Sequence, residues 1–255
     1  MDEAVTERSA GAVGAPAHLQ LVNVWKRFGD GHRQTVAVRN VDLSIAPGEF
    51  VTLIGPSGCG KSTLFNIIAG LLPPDADGSI LLAGRPQQDG ALLGRVSFMP
   101  QRDLLFPWRT VLDNAALALE VEGMPRRAAR QKAEALFPEF GLKGFERHYP
   151  HQLSGGMRQR VALMRTFLFE RDLMLLDEPF GALDAKVRKD LRQWLRHFHD
   201  QTHLTSLFVT HDQDEAFELA DRVVIFNEGR IQQIGTPTAL RENPTNDFVR
   251  AFLEV

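Results

Sequence analysis

The hydrophobic rhythm of the chain changes along its length. From Leu19, "LQLVNVWKRFG" and "TVAVRNVDLSIAPGE" roughly alternate apolar and polar residues, with Gly, Asp and Pro between them, which predicts antiparallel strands with one wet face. At Phe50 the alternation stops. Phe50 to Ile54, Val96 to Met99, Leu173 to Leu176 and Ser206 to Val209 are short, nearly continuous apolar runs, the pattern of strands buried on both faces. Between the second and third runs, residues 101–165 read as mostly helical, with segments such as "VLDNAALALEVEG" and "RRAARQKAEALF", and predict a helical insertion in an α/β core. Leu191, Trp194, Leu195 and Phe198 form a helical apolar stripe, and the Lys and Arg between them read as a solvated face. Asp212 with Glu215 three residues on predicts a capped helix start, and "VVIFNEGRIQQIG" predicts two strands joined at Asn227 to Gly229. Residues 1–18, without periodicity, read as a flexible tail, residues 19–255 as a single domain, and the chain from Pro237 as too short for another.

Composition narrows the function classes. At 255 residues, 44% hydrophobic and 24% charged, the chain is neither disordered nor fibrous. A net charge of -3 does not favour nucleic acid as a partner. The one cysteine, Cys59, cannot form an internal disulfide, and the opening "MDEAVTERSAGAVGAPAHLQ" lacks a basic, then apolar, export signal, so a cytoplasmic location is expected. Apolar runs such as "LMLL" and "VVIF" fall far short of the roughly 18 residues a spanning helix needs, so membrane work would be that of a peripheral subunit.

The candidate chemistry begins at "GPSGCGKST". Gly55, Pro56, Ser57, Gly58, Cys59, Gly60, Lys61 and Ser62 match G-x-x-x-x-G-K-[ST], and Thr63 follows, between a predicted strand and the predicted helix "STLFNIIAGLL". Glycines let successive amides face inward, the helix amino end adds partial positive charge, Lys61 supplies an ammonium for terminal phosphates and Ser62 a hydroxyl for Mg²⁺. Cys59 reads as a small filler of this loop rather than a redox residue. "LMLLDEP" ends a buried strand in two carboxylates. Asp177 is expected as a partner of Mg²⁺, directly or through one of its other ligands, and Glu178 as the group that orients and deprotonates water for attack on a γ-phosphate. His211, after "SLFVT", can donate to a γ-phosphate oxygen or hold that water, and Gln101, after "VSFMP", is a neutral ligand for Mg²⁺ and water. Phe28 reads either as a stacking face for a base or as a core aromatic. The spacings of His148 and His151, and of His197, His199 and His203, invite a metal reading, but no thiol or carboxylate pattern completes a shell.

"LSGGMRQR" is the puzzle: small residues lead into a helix as if to hold a second phosphate, yet without a lysine or a preceding buried strand. Together with "GPSGCGKST", "MPQ", "LMLLDEP", "GALDA" and "VTHD", in that order between Leu19 and Phe252, it resembles the ATP-binding subunit of ABC transporters. The resemblance implies an α/β fold: a P-loop NTPase, RecA-like core with an antiparallel β subdomain and an inserted helical subdomain. It also implies ATP and Mg²⁺ as cofactors and a head-to-tail dimer closing over two nucleotides, so that "LSGGM" is half a site completed by the P-loop of a second copy. Carried over residue by residue, Phe28 falls at the adenine-stacking position, Gln101 at the Q-loop, Ser154, Gly155 and Gly156 at the signature, Asp184 at the D-loop and His211 at the switch histidine. Phe28 stands where Tyr is more common, and Lys186 where Leu is common; neither change removes a catalytic group.

"FMPQRDLLFPWRTVLDNAALALE", with "YPHQLSGGMRQRVALMRT" and "LLDEPFGALDA", is similar to the nitrate, sulfonate, taurine and pyrimidine importer group, and "RTFLF" leans toward its thiamine-precursor members. The implied partners are membrane permease subunits, contacted near Leu104 to Arg109, and indirectly an extracytoplasmic solute-binding protein. The implied place is the cytoplasmic face of the membrane, and the regulatory domain of sugar-importer ATPases is expected to be absent. An ABC ATPase acting on nucleic acid would be expected to show a coiled-coil insertion or two cassettes, and a GTPase an N-K-x-D motif; the sequence carries none of these.

Overall fold

The computed structural model describes residues 17–29, 34–75, 78–87, 94–181 and 183–254, so the tail expected over 1–18 lies outside them apart from its last two residues. In chain order the elements are β1 (Leu19–Phe28), β2 (Thr35–Ile45), β3 (Phe50–Ile54), α1 (Lys61–Ile68), β4 (Ser79–Leu82), β5 (Arg85–Pro86) and β6 (Ser97–Met99). Three helices follow, α2 (Val111–Val121), α3 (Arg126–Glu134) and α4 (Gly155–Phe167), then β7 (Leu173–Asp177), α5 (Ala185–Thr202), β8 (Thr205–Thr210) and α6 (Gln213–Leu219). The chain continues through β9 (Arg222–Asn227), β10 (Arg230–Gly235), α7 (Pro237–Glu242) and α8 (Asp247–Leu253).

The two hydrophobic rhythms become two sheets. The alternating stretches pair antiparallel as β2-β1-β4-β5, and the continuous runs build a second sheet in the order β10-β9-β3-β8-β7-β6. Every residue of β3 and β8 is buried, as the absence of alternation requires. Leu21, Val24 and Ile45 of the first sheet share a core with Val51, Leu53, Leu64, Phe65 and Val224. On the opposite side Phe50, Leu176 and Phe208 pack with Val111, Val161, Leu191 and Leu195 of the helices. β3, β8, β7 and β6 run parallel, and their register sets Ile54 beside Thr210, Val209 beside Asp177 and Leu176 beside Met99. The loops leaving their carboxyl ends therefore emerge side by side, where ligands of parallel sheets sit.

Three expectations are corrected. Residues 135–154 hold turns and one 3₁₀ turn, Pro150–Gln152, so the segment over 101–165 is less helical than its composition suggests. Glu215 is only half of a capping pair: its N–H donates to Asp212 Oδ1 at 3.1 Å, but its own buried carboxylate accepts from the Thr210 hydroxyl at 2.6 Å. The arginines of α5 are not a solvated face, since Arg188, Arg192 and Arg196 each meet a carboxylate on or beside α6. The apolar stripe of α5 does pack inward, with Leu195 fully buried and Trp194 against Phe140 at 4.5 Å between ring centroids. Among the described residues no cluster of His, Cys, Asp and Glu could hold a metal ion, and no helix is long and apolar enough to cross a membrane.

Asp113, buried on α2, holds the inserted helices together. It accepts from Arg130 at 2.6 and 2.8 Å, from Arg126 at 3.1 Å and from the Thr110 hydroxyl at 3.0 Å. Burial alone would raise its pKa, but the bonds from Arg130, Thr110 and Arg126 outweigh it and hold the carboxyl at about 2, below its usual 3.8. A depressed carboxyl contributes stability above its unfolded pKa and loses it as pH falls. Asp113→Asn is therefore expected to destabilise the protein by about 1–2 kcal/mol at neutral pH, the solvent exposure of Arg126 limiting the effect. In thermal melts the gap between wild type and variant should shrink as pH falls from 4 toward 2; a constant gap would contradict this account of α2 and α3.

Candidate nucleotide site

The loop from Gly55 to Gly60 curls between β3 and α1 under tight steric limits. A Cβ at Gly55 would lie 1.9 Å from the Phe226 carbonyl oxygen. One at Gly60, whose φ is +108°, would lie 2.2 Å from the Ala37 carbonyl oxygen. Only glycine fits either position. The tip of the β9–β10 hairpin presses on the same loop, with Gly229 N–H donating to the Cys59 carbonyl at 2.8 Å and Arg39 N–H to the Gly229 carbonyl at 2.7 Å.

This packing leaves an uncapped helix and an unpaired cation. Ser154, Asp184, Asp212, Thr236 and Asn246 cap their helices with side-chain oxygens, whereas α1 begins at Gly60 with none. Its first N–H groups are thus available to an anion. Lys61 is buried, with 6% of its surface exposed, and among the described residues no carboxylate lies within ion-pair distance of it. Its ammonium donates instead to the Gly55 and Pro56 carbonyls at 2.7 and 2.8 Å and approaches Cys59 Sγ at 3.8 Å. A buried ammonium satisfied only by dipoles, beside free helix N–H groups, suits phosphate oxygens. The open space here is about 400 Å³, lined by Thr35, Val36 and Ala37, by residues 57–63, and by Gln101, Glu178, Glu228 and Gly229.

Glu178 is the meeting point of the other strand-end groups. It follows β7 with φ +47°, a left-handed backbone that a non-glycine residue rarely adopts, and its N–H donates to the Val209 carbonyl at 2.9 Å. Gln101 Nε2 donates to one carboxylate oxygen at 2.9 Å, and His211 Nδ1 lies 3.3 Å from the other. Asp177, just before it, is pushed up to about 6 by burial and by the charge of Glu178, with Lys61 opposing. The oxygen donors of Ser62, Gln101 and Asp177 suit a hard cation such as Mg²⁺. Phe28 is exposed rather than a core aromatic; it pairs across the strands with Thr35, a residue of the cavity wall, but does not itself line the cavity, and the Lys26 ammonium lies 5.8 Å from its ring centroid.

Ser154, Gly155, Gly156 and Asp184 do not line this cavity. The Ser154 hydroxyl caps α4 by accepting from Met157 N–H at 3.2 Å, and Asp184 caps α5 through Val187 N–H at 3.0 Å; both residues are exposed. Sequence reasoning missed the rest of "LSGGMRQR". Gln159 donates to the Gln101 carbonyl at 2.9 Å, Arg158 pairs with Asp103 at 3.0 Å, and Arg165 donates to the Asp103 and Leu104 carbonyls. Helix α4 thereby carries the loop that delivers Gln101. Thr35 to Ala37 and the Glu228–Gly229 tip were also missed, because no local pattern tells a strand or hairpin that it will border a loop formed elsewhere in the chain.

The family described as ABC transporter matches residues 38–181. This chain belongs to that family. It is an ATP-binding, ATP-hydrolysing cassette with the α/β, P-loop architecture of the fold, and its cofactors are ATP and Mg²⁺. It is 47% identical over 236 residues to the sulfate/thiosulfate import ATP-binding protein CysA of Synechococcus elongatus, covering 92% of this chain and 67% of that protein. Its identity to the CysA of Ralstonia nicotianae is 49% over 240 residues, covering 92% and 63%. The chain thus spans about two thirds of the length of these relatives. Among solved structures it is similar to the ATP-binding cassette MJ0796 as a post-hydrolysis dimer bound to ADP and phosphate, with TM-score 0.79, 32% identity, and 86% and 98% of the two chains covered. The named relatives are sulfate/thiosulfate importer subunits, which corrects the likeness to the nitrate, sulfonate, taurine and pyrimidine group.

Gly60→Ala tests the cradle. A Cβ within 2.2 Å of backbone, at positive φ, is expected to cost about 2–4 kcal/mol and to remove ATP binding in a titration with a fluorescent analogue. Wild-type affinity in that variant would contradict the packing of β2 on the loop.

Proposed function

We propose that this cassette powers import of a small sulfur oxyanion, sulfate or thiosulfate, through a separate membrane permease at the cytoplasmic face of the membrane, working as a head-to-tail dimer. The observation that carries the mechanism is the convergence of Gln101 and His211 on Glu178 beside the cradle. The cargo reading rests on likeness to the CysA relatives, and the dimer on the dimeric MJ0796 cassette and on the exposure of Ser154 beside the half-buried Gly155 and Gly156.

In this reading Lys61 turns its ammonium from the loop carbonyls to the terminal phosphate oxygens, the first N–H groups of α1 donate to the same phosphates, and Phe28 offers its ring to the adenine. Ser62, Gln101 and Asp177 would hold Mg²⁺, which supplies charge neutralisation at the phosphates. Asp177 keeps its proton up to about pH 6, so cation binding has to displace it. Glu178 accepts a proton from the attacking water, while Gln101 and His211 fix its two oxygens and release one when water enters. Ser154, Gly155 and Gly156 of the second copy complete the far side of each nucleotide, with Asp184 beside them. Leu104 and Trp108 are 59% and 71% exposed, and buried Asn114 fixes their loop through bonds to the Phe106 backbone, which suits a surface that receives the permease.

Glu178→Gln is expected to bind ATP while its hydrolysis rate falls by about 10²–10⁴; hydrolysis at the wild-type rate would remove Glu178 from the role of base. Calorimetric titration should show Mg²⁺-dependent ATP binding weakening as pH drops below about 6, with protons released on binding. For cargo, deleting the chain in its host should abolish uptake of radiolabelled sulfate. Unchanged sulfate uptake with lost taurine or pyrimidine uptake would overturn that part.

A further inference from the structure

The three arginines of α5 that face α6 sit four residues apart, but one differs from the others. Arg192 pairs with Glu218 at 3.1 Å, and Arg196 with Asp221 at 3.0 Å, contacts between the bodies of the two helices and the turn after α6. Arg188, nearest the site, has a divided grip. One end nitrogen donates to the Leu183 carbonyl at 3.1 Å, next to Asp184; the other reaches Asp212 Oδ2 at 3.5 Å, and Nε lies 3.7 Å from Glu215 Oε1.

Those two carboxylates hold the backbone on either side of His211. The Thr210 hydroxyl donates to Glu215 at 2.6 Å and accepts from Asp212 N–H at 3.0 Å, and Asp212 in turn caps Glu215 N–H at 3.1 Å. Glu215 is buried and carries a raised pKa, from burial first and the Asp212 charge second, with the Thr210 bond, Arg188 and Arg192 opposing. The His211 side chain is 62% exposed, and among the described residues its ring has one polar partner, Glu178. Its aim is therefore set by its backbone rather than by packing around the ring.

We propose that Arg188 is a positioning residue that ties the turn bearing Asp184 to the backbone of His211, so that a shift at Asp184 alters the contact of His211 with Glu178. A planar guanidinium suits this task because its donors are fixed relative to one another, so the carbonyl of Leu183 and the carboxylate of Asp212 cannot move apart independently. A lysine could satisfy one side only. That the shift arrives from a second copy rests on the dimeric reading above; the link within one chain does not.

The test compares Arg188→Met and Arg188→Lys with Arg192→Met, which removes a neighbouring ion pair outside the site. Both Arg188 variants are expected to lose at least about 10-fold in kcat with KM for ATP within about 2-fold, because nucleotide contacts stay intact while the geometry around Glu178 loosens. Arg192→Met should keep kcat within about 2-fold even if its Tm falls as far. In a His211→Ala background, Arg188→Lys should cost little further activity, since groups that act through one another are not additive. Wild-type kcat in Arg188→Lys, an equal loss in Arg192→Met, or a full further loss in the His211→Ala background would each overturn the proposal. Failure of the dimeric reading would show separately, as an absence of ATP-driven association in the wild-type protein.

Discussion

A buried ammonium without a carboxylate partner organises this molecule. Lys61 is held by the carbonyls of its own loop, an arrangement that satisfies its hydrogens without a direct ion pair, though its charge still favours the ionised form of Asp177. The loop can offer those carbonyls only because Gly55 and Gly60 let it pass against Phe226 and Ala37 at distances that no side chain tolerates. The antiparallel sheet and the β9–β10 hairpin are packed where they enforce that curl. Phosphate is the proposed source of negative charge there, and α1, which begins without a side-chain cap, the proposed source of donors.

The chemistry lies on a neighbouring strand end because the register of the parallel sheet allows nothing else. Asp177 sits beside Val209, and the loops after β7 and β8 bring Glu178 and His211 within 3.3 Å. Gln101 comes from a more distant source: its loop is gripped by Arg158, Gln159 and Arg165 of α4. The helix whose amino end carries Ser154 thus carries on its flank the residue that touches Glu178. One helix thus connects the exposed end at Ser154, the exposed loop at Leu104 to Trp108, and the carboxylate of Glu178.

Much of this was legible in the sequence, for identifiable reasons. The four buried strands were readable because burial on both faces removes alternation, and the cradle was readable because its glycines and lysine are contiguous. β4 and β5 were not read, since two short segments, β4 paired to β1 from far along the chain and β5 paired to β4, leave no periodic trace. The arginines of α5 look solvated in sequence because their carboxylate partners on and beside α6 lie more than twenty residues away. A much longer separation, from Cys59 to Gly229, hid the hairpin tip that borders the cradle. The importer group was misplaced for a different reason: the segment from Phe98 to Glu120 carries much of the helical core, with Met99, Val111, Ala115 and Leu119 buried, and core packing says little about a transported solute.

The central claim is that "LSGGM" is half of a site whose other half belongs to a second copy. Sedimentation velocity on the Glu178→Gln protein, with and without ATP, compared with the same protein also carrying Ser154→Arg, tests it most directly. Ser154 lies outside the cradle, so both proteins should bind ATP, but only the first should shift from monomer to dimer on adding it. ATP-bound dimer in the Ser154→Arg protein, or ATP-bound monomer in both, would contradict the account.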